Sequence, residues 1–499
     1  MDIQHDHVIH LENGRFASDS SRAELNRILS NALDANPGKG LVLHFHGGLV
    51  NEDAARGIAD RLAPRYADDG GAYPLFFVWE SGVWETIWNN LDDIRKERFF
   101  QELVKKVGEW VLKKLPSDIG VRGAGGGPID ERKLRRDFDA WFSGASAELP
   151  DQVAEDRTAS GGRSKGSAPD ERRLAEQIEA ALDRDFKSAV EAVYNGLNPK
   201  GEDRPATRGV GTEASAESLI SPEAADEMFD RSPAKTRGVL SWGKVAAFVA
   251  KVVVACIERF ISGRSHGIYP TLVEEVLRAA YGDKIGSIIW DSMKKDTADA
   301  FEAGTETGGY ALLDELRKQA EQGRRFAKIT LIGHSTGAIY IVNFLAAAAS
   351  QWPGQQFDVL FLAPAVTHGD FAKALKQQRD AIAHFRMFGM NDAVERRDQM
   401  VKILYTRSLL YFVSGLLEPE VDMPIVGMER YLKEAAIFTP EGFPHVADVA
   451  EFLDEEADSK VWSVALAAAG KSSRAQAHGD FDNDDITLDS LVHILRSGF

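Results

Sequence analysis

Two separated stretches of this 499-residue chain alternate short apolar runs with longer amphipathic ones, and that alternation limits the fold more than any other feature. The first, roughly 38 to 110, opens with GKGLVLHFHGGLV, a β-rich run ending in two glycines. The helix-like NEDAARGIADRLAPRY follows, with Asn51 placed to cap it, and then the apolar strand AYPLFFVWESG. Strand, helix, strand with short connections is the parallel βαβ pattern. The second stretch repeats it: AKITLIGHSTG reads as strand and turn, AIYIVNFLAAAAS as helix, FDVLFLAPAV as strand, GDFAKALKQQRDAI as helix and AHFRMFGMND as strand. Each apolar run is nearly continuous, as strands covered on both faces require. The expected fold class is α/β, a doubly wound and mostly parallel sheet.

The middle of the chain has another texture. GVRGAGGGPIDE, TASGGRSKGSAPDE and GLNPKGEDRPATRGVGTEAS are rich in Gly, Ser, Pro and charge, which suits loops or disorder. Helical patches lie between them. This predicts an N-terminal segment over 1–37, a first core part over 38–115, a mainly helical and partly disordered cap insertion over 116–322, and a second core part over 323–499. The apolar VAAFVAKVVVACI, Val245 to Ile257, needs a cover, and the expectation is that it forms part of a cap over the site described below.

Composition excludes several classes. With 59 Lys+Arg against 77 Asp+Glu, a net charge of -18 argues against nucleic acid or an anionic membrane as a general partner. The longest apolar run is broken by Lys251 and falls short of the roughly 20 residues that span a bilayer. The N-terminal sequence shows no basic region followed by an apolar core, so no secretory signal is expected. The single cysteine, Cys256, lies in an apolar run and reads as a buried thiol, which fits a reducing, cytoplasmic setting.

The motif that carries chemistry is GHSTG at Gly333 to Gly337. A G-x-S-x-G pattern alone is a weak signal. Here it sits between a strand ending near Ile332 and a helix starting near Ala338, the setting in which a serine is forced above a sheet on a strained turn. The flanking glycines would let strand and helix approach closely. Ser335 is therefore the candidate nucleophile, with a plain glycine turn as the alternative.

With HGG at His46 to Gly48, GHSTG at Gly333 to Gly337, and a later strand ending in GMND, the chain resembles the α/β-hydrolase superfamily, in particular its serine esterases and lipases, over roughly 38 to 110 and 325 to 499. The resemblance implies a catalytic order of serine, acid and histidine. It places the acid after a late strand, at Asp392, with Asp370 one strand earlier as its rival. It places the base on the loop between the last strand and the last helix, at His478. His445 is a lesser alternative, His384 falls at the wrong end of the sheet, and His493 falls within an apparent helix. The oxyanion hole would use the backbone N–H groups of Thr336 and Gly48.

The activity so implied is hydrolysis of a carboxylic ester, lipid or other apolar acyl, through an acyl-enzyme and without a cofactor. An acyltransferase or thioesterase would use the same residues, and a protein-binding insertion on a hydrolase fold is the alternative from another class. No metal site is expected. The alternate acids Asp480, Asp482 and Asp484 lack the glycine and glutamate of a calcium loop, His44 and His46 lack a third ligand, and GAGGGP from Gly123 lacks a phosphate-loop context. Trp79, Trp84 and Trp88 read as core.

Overall fold

The computed structural model describes residues 3–35, 38–48, 50–79, 84–116, 119, 130–150, 164–197, 218–229, 240–282, 285–304, 306–438, 442–455 and 458–499. The chain forms two compact units. The first comprises Met1–Glu85, Ile288–Met400 and Arg407–Phe499; the second comprises Thr86–Ser287 and Val401–Thr406.

The first unit is built on an eight-stranded sheet. Its strands are β1 (Val8–Glu12), β2 (Arg15–Phe16), β3 (Gly40–Phe45), β4 (Ala72–Trp79), β5 (Ile329–His334), β6 (Phe357–Leu362), β7 (Ile382–Met390) and β8 (Lys460–Ser463), in the order β2-β1-β4-β3-β5-β6-β7-β8. Every neighbouring pair is parallel except β1 with β2. The α/β class and the parallel sheet follow the alternation in the sequence. The 1–37 segment, however, is more than a leader to the core, because it supplies β1 and β2. HVIHLENGRF is too short to show a period, and pairing with β4 decides its conformation.

Helices cover both faces. On one face α1 (Glu52–Pro64) and α4 (Asp485–Ser497) bury Ala55, Ile58, Ala59, Leu62, Leu488 and Leu491 against Val42, Val78, Ile332, Leu360 and Phe388 of the strands. On the other, α2 (Gly337–Gln351) and α3 (His368–Gln378) bring Tyr340 onto Phe45, at 4.5 Å between ring centroids, and Phe371 onto Phe361 at 5.6 Å. Asn51 starts α1 as expected, its side chain accepting the Ala54 N–H at 2.9 Å, with Glu52 and Asp53 complementing the helix dipole. β3 leads to β4 on one side, while β5 leads to β6 on the other. The crevice between the C-terminal ends of β3 and β5 is thus the switch point at which open α/β sheets bind ligands.

Among its described residues the second unit is helical, and its boundaries differ from those read in the sequence. Arg98–Lys114 belongs to it, whereas Gly308–Glu321 belongs to the first unit. The helix Trp242–Ile261 is apolar nearly all round and exposes only a stripe through Lys244, Ala247, Lys251 and Glu258. It packs on Arg98–Lys114, Glu171–Ala180, Pro222–Phe229 and Ile268–Tyr281 of its own unit. Its own unit therefore supplies the cover that motivated its placement in a cap, and that argument falls away. Cys256 on this helix is buried, and burial pushes its thiol pKa up. Of the three Gly/Ser/Pro-rich stretches, the first, GAGGGP included, and the third lie largely outside the described residues, as does the first part of the second, TASGGR. No helix among the described residues is long and apolar enough to cross a membrane.

Candidate active site

Ser335 follows β5 directly and has φ 54°, the left-handed region that costs a non-glycine residue about 1–3 kcal/mol. The turn is held on both sides. The Ser335 N–H donates to the Leu362 carbonyl at 2.8 Å, and its own carbonyl accepts from Ala365 at 3.0 Å. The two motif glycines are required by contact: a Cβ at Gly333 would lie 2.7 Å from the Gly337 backbone, and one at Gly337 only 2.1 Å from the Phe45 carbonyl oxygen. No side chain fits where β5, α2 and the end of β3 meet.

The HGG turn lies alongside. A Cβ at Gly47 would sit 3.2 Å from Ser335 Cβ, and one at Gly48 2.8 Å from Thr336 Oγ1. The two residues expected to supply oxyanion donors are thus adjacent, Thr336 at the N-terminus of α2. His46 fixes the turn: its Nδ1 bonds the Gly47 carbonyl at 2.7 Å and its Nε2 accepts the Trp79 N–H at 3.1 Å. Those partners define the tautomer, with the proton on Nδ1. Burial lowers its pKa to about 4, so the ring is neutral. Its neighbour His44 is buried between Tyr66 and Phe76, with a pKa lowered by burial to about 3. Both histidines pack against aromatic rings. Trp79 also packs, stacking on His46 at 4.1 Å, while Trp88 is 36% exposed and the Trp84 side chain lies outside the described residues.

Ser335, His334, Gly47 and His478 line one cavity of about 440 Å³, together with Val50, Ala54, Gly57, Ile58 and Arg61 from the α1 side and Gly479, Asp482 and Asn483 from the loop before α4. His478 stands in a short turn, His478–Asp480, between β8 and α4, where the resemblance would put the base. It is buried, and among the described residues neither ring nitrogen has a hydrogen-bond partner, Ser335 Oγ included. Burial, then the nearby His334, drives its pKa well below the ordinary 6.5. It is a neutral imidazole, the state a general base needs.

The structure does not bring Asp392 to this histidine. The Asp392 carboxylate accepts from Tyr411 Oη at 2.6 Å and from Arg396 Nε at 2.8 Å, and its N–H donates to Glu429. The acid of the same turn that reaches the histidine loop is Asp398, which accepts the His478 backbone N–H at 2.9 Å. Burial raises the Asp398 pKa, against the lowering effect of that bond. Asp370 lies in the first turn of α3, where its N–H and carboxylate pair with the cap Thr367, an ordinary helix start. His384 pairs with Asp358 at the opposite ends of the strands, His445 opens a separate half-buried helix, and His493 lies inside α4.

Like Asp398, two further residues beside His478 are missing from the site expected from the sequence. His334, the second residue of GHSTG, bonds the His478 carbonyl through Nε2 at 3.0 Å and faces Asp482 through Nδ1 at 3.5 Å. Burial alone would lower the His334 pKa, but Asp482 outweighs it and holds it above 6.5. Burial would raise Asp482, and the His334 contact outweighs that, so its pKa stays below 3.8. Asp482 stands in HGDFDND, four residues after His478. The acids of that run have separate local tasks: Asp480 accepts the N–H groups of Gln476 and Ala477, Asp482 meets His334, and Asp484 caps α4.

His10, Asp19 and Glu52 are close enough together to ligate a metal, but the Arg56 guanidinium bonds Asp19 and Glu52 there and supplies the positive charge. No protein family, curated protein or solved structure matches the chain.

Proposed function

We propose that the chain is a serine hydrolase of α/β-hydrolase type that cleaves a carboxylic ester through an acyl-enzyme. One observation carries the reading: a serine held at φ 54° on a strand-to-helix turn shares a cavity with a neutral, buried histidine whose ring nitrogens have no other partner. Ser335 Oγ attacks the carbonyl carbon and His478 takes its proton. The oxyanion meets the N–H groups of Thr336 and Gly48. Collapse expels the alcohol, which leaves with the proton from His478, and water repeats the sequence to release the acid. The missing Ser335–His478 hydrogen bond fits a resting enzyme in which that contact tightens on substrate.

Asp398 and the His334–Asp482 pair hold the His478 loop by its backbone from two sides, and we assign them, rather than Asp392, to positioning the base. Transfer of the acyl group to an acceptor other than water uses the same residues.

The test is labelling by a fluorophosphonate probe together with turnover of a p-nitrophenyl ester. Ser335→Ala abolishes both with little change in melting temperature. Undiminished turnover by this variant, or no labelling of the wild type, defeats the proposal.

A further inference from the structure

The cavity beside Ser335 has two unlike walls. One is a single face of α1: Val50 just ahead of the cap, then Ala54, Gly57, Ile58 and Arg61, spaced three and four apart. The other is the polar turn carrying His478, Asp482 and Asn483. In the middle of the helical wall the side chain disappears. A Cβ at Gly57 would meet no heavy atom of the described residues within 4 Å, so the helix borders open space there. Glycine weakens a helix interior, and Gly57 has no positive φ that would require it. What it supplies is room. Ala54 and Gly57 are both exposed, so neither is small because a neighbour presses on it.

From Ala54 to Arg61 the trough follows α1 for seven residues, about 10 Å of helix axis. It ends where the Arg61 guanidinium donates to the Asp482 carbonyl at 3.0 Å. An apolar chain lying over Ala54, Gly57 and Ile58 is favoured by burial, while one that runs on to Arg61 would strip water from a charged group.

We propose that this trough is the acyl subsite of the enzyme inferred above, that it takes an unbranched apolar acyl chain of medium length, and that Gly57 is the residue that admits it. The proposal rests on the ester-hydrolase reading. Ser335 and the unpartnered, buried His478 at the same cavity place the trough next to the reacting carbonyl.

The experiment measures kcat/KM for p-nitrophenyl acetate, octanoate and palmitate with the wild type and with Gly57→Leu, and compares ethyl with octyl acetate for the alcohol side. The wild type should prefer octanoate to both other acyl esters. Gly57→Leu should lower the octanoate-to-acetate ratio by at least about tenfold, the size of effect a filled apolar pocket gives. Ala54→Leu, at a second exposed position of the same wall, should lower the ratio in the same direction and serves if Gly57→Leu does not fold. An unchanged ratio in these variants overturns the proposal, and a change confined to the octyl-to-ethyl acetate ratio assigns the trough to the alcohol and overturns it as well. The two readings fail differently. Probe labelling with an unmoved ratio removes only the subsite, whereas no labelling and no turnover of any ester removes the hydrolase with it.

Discussion

The two sides of the Ser335 cavity are held by different physics. The serine side is fixed by backbone contact: Gly333, Gly337 and the Phe45 carbonyl meet with no room for a methyl group, and main-chain bonds with Leu362 and Ala365 pin the turn. The histidine side is fixed by side chains: Asp398 and His334 grip the His478 main chain, and Asp480 folds the residues ahead of it. The first kind of support is indifferent to charge and intolerant of volume. The second tolerates volume and depends on protonation.

The contrast breaks most visibly at Gly337. Gly337→Ala must move the Phe45 backbone, so destabilisation of about 3 kcal/mol is expected, read as a fall in the urea midpoint; a wild-type midpoint would show that the elbow is not close-packed. Next comes the loop. Asp398→Ala should lower kcat roughly 10²-fold by letting the base drift, with a small effect on stability. Asp392→Ala should do the reverse, costing about 1–3 kcal/mol because Tyr411 and Arg396 lose a buried acceptor, with a smaller effect on kcat. The opposite ranking would return the acid to Asp392.

Protonation sharpens the contrast further. His334 has a raised pKa, so its contribution to stability is complete below 6.5 and is lost as pH rises through the raised value. Asp482 has a lowered pKa, so its contribution is present above 3.8 and is lost as pH falls. The stability difference between wild type and Asp482→Asn should therefore be largest between pH 3.8 and 6.5 and shrink on both sides, in a series of thermal melts. A difference that grows toward alkaline pH would contradict the pairing. The smallest effect concerns the base. Since burial lowers the His478 pKa, the acid limb of the kcat/KM profile should lie below pH 6.5, and a limb above that value would assign it to another group.

The same contrast explains how far the sequence could be read. β3 to β7 and α1 to α4 were legible because apolar periodicity and the Asn51 cap act locally, and the elbow because glycine, serine and glycine stand within five residues. β1 and β2 were not, since the five residues of β1 take their conformation from β4, 68 positions away, and the two residues of β2 pair with β1 in turn. His478 was singled out by the resemblance, and it stands between β8 and α4. Its supports were not, because the Asp398 contact spans 80 residues and the His334 contact 144, and no local pattern distinguishes Asp398 from Asp392 in one turn.

The second unit includes six residues, Val401–Thr406, that the chain contributes long after Ser287. Within that unit the Ile403 carbonyl accepts from Tyr269 Oη at 2.6 Å and from Trp141 Nε1 at 3.0 Å, and Tyr405 Oη donates to the buried Glu274. Cutting out 86–287 as a contiguous cassette would leave a buried tyrosine, a tryptophan and a carboxylate without these partners. Grafting that cassette onto another sheet would carry the same defect. The unit is inserted once but stitched twice, so its gain or loss as a single genetic event is disfavoured, and its helices and the 401–406 segment are bound to change together.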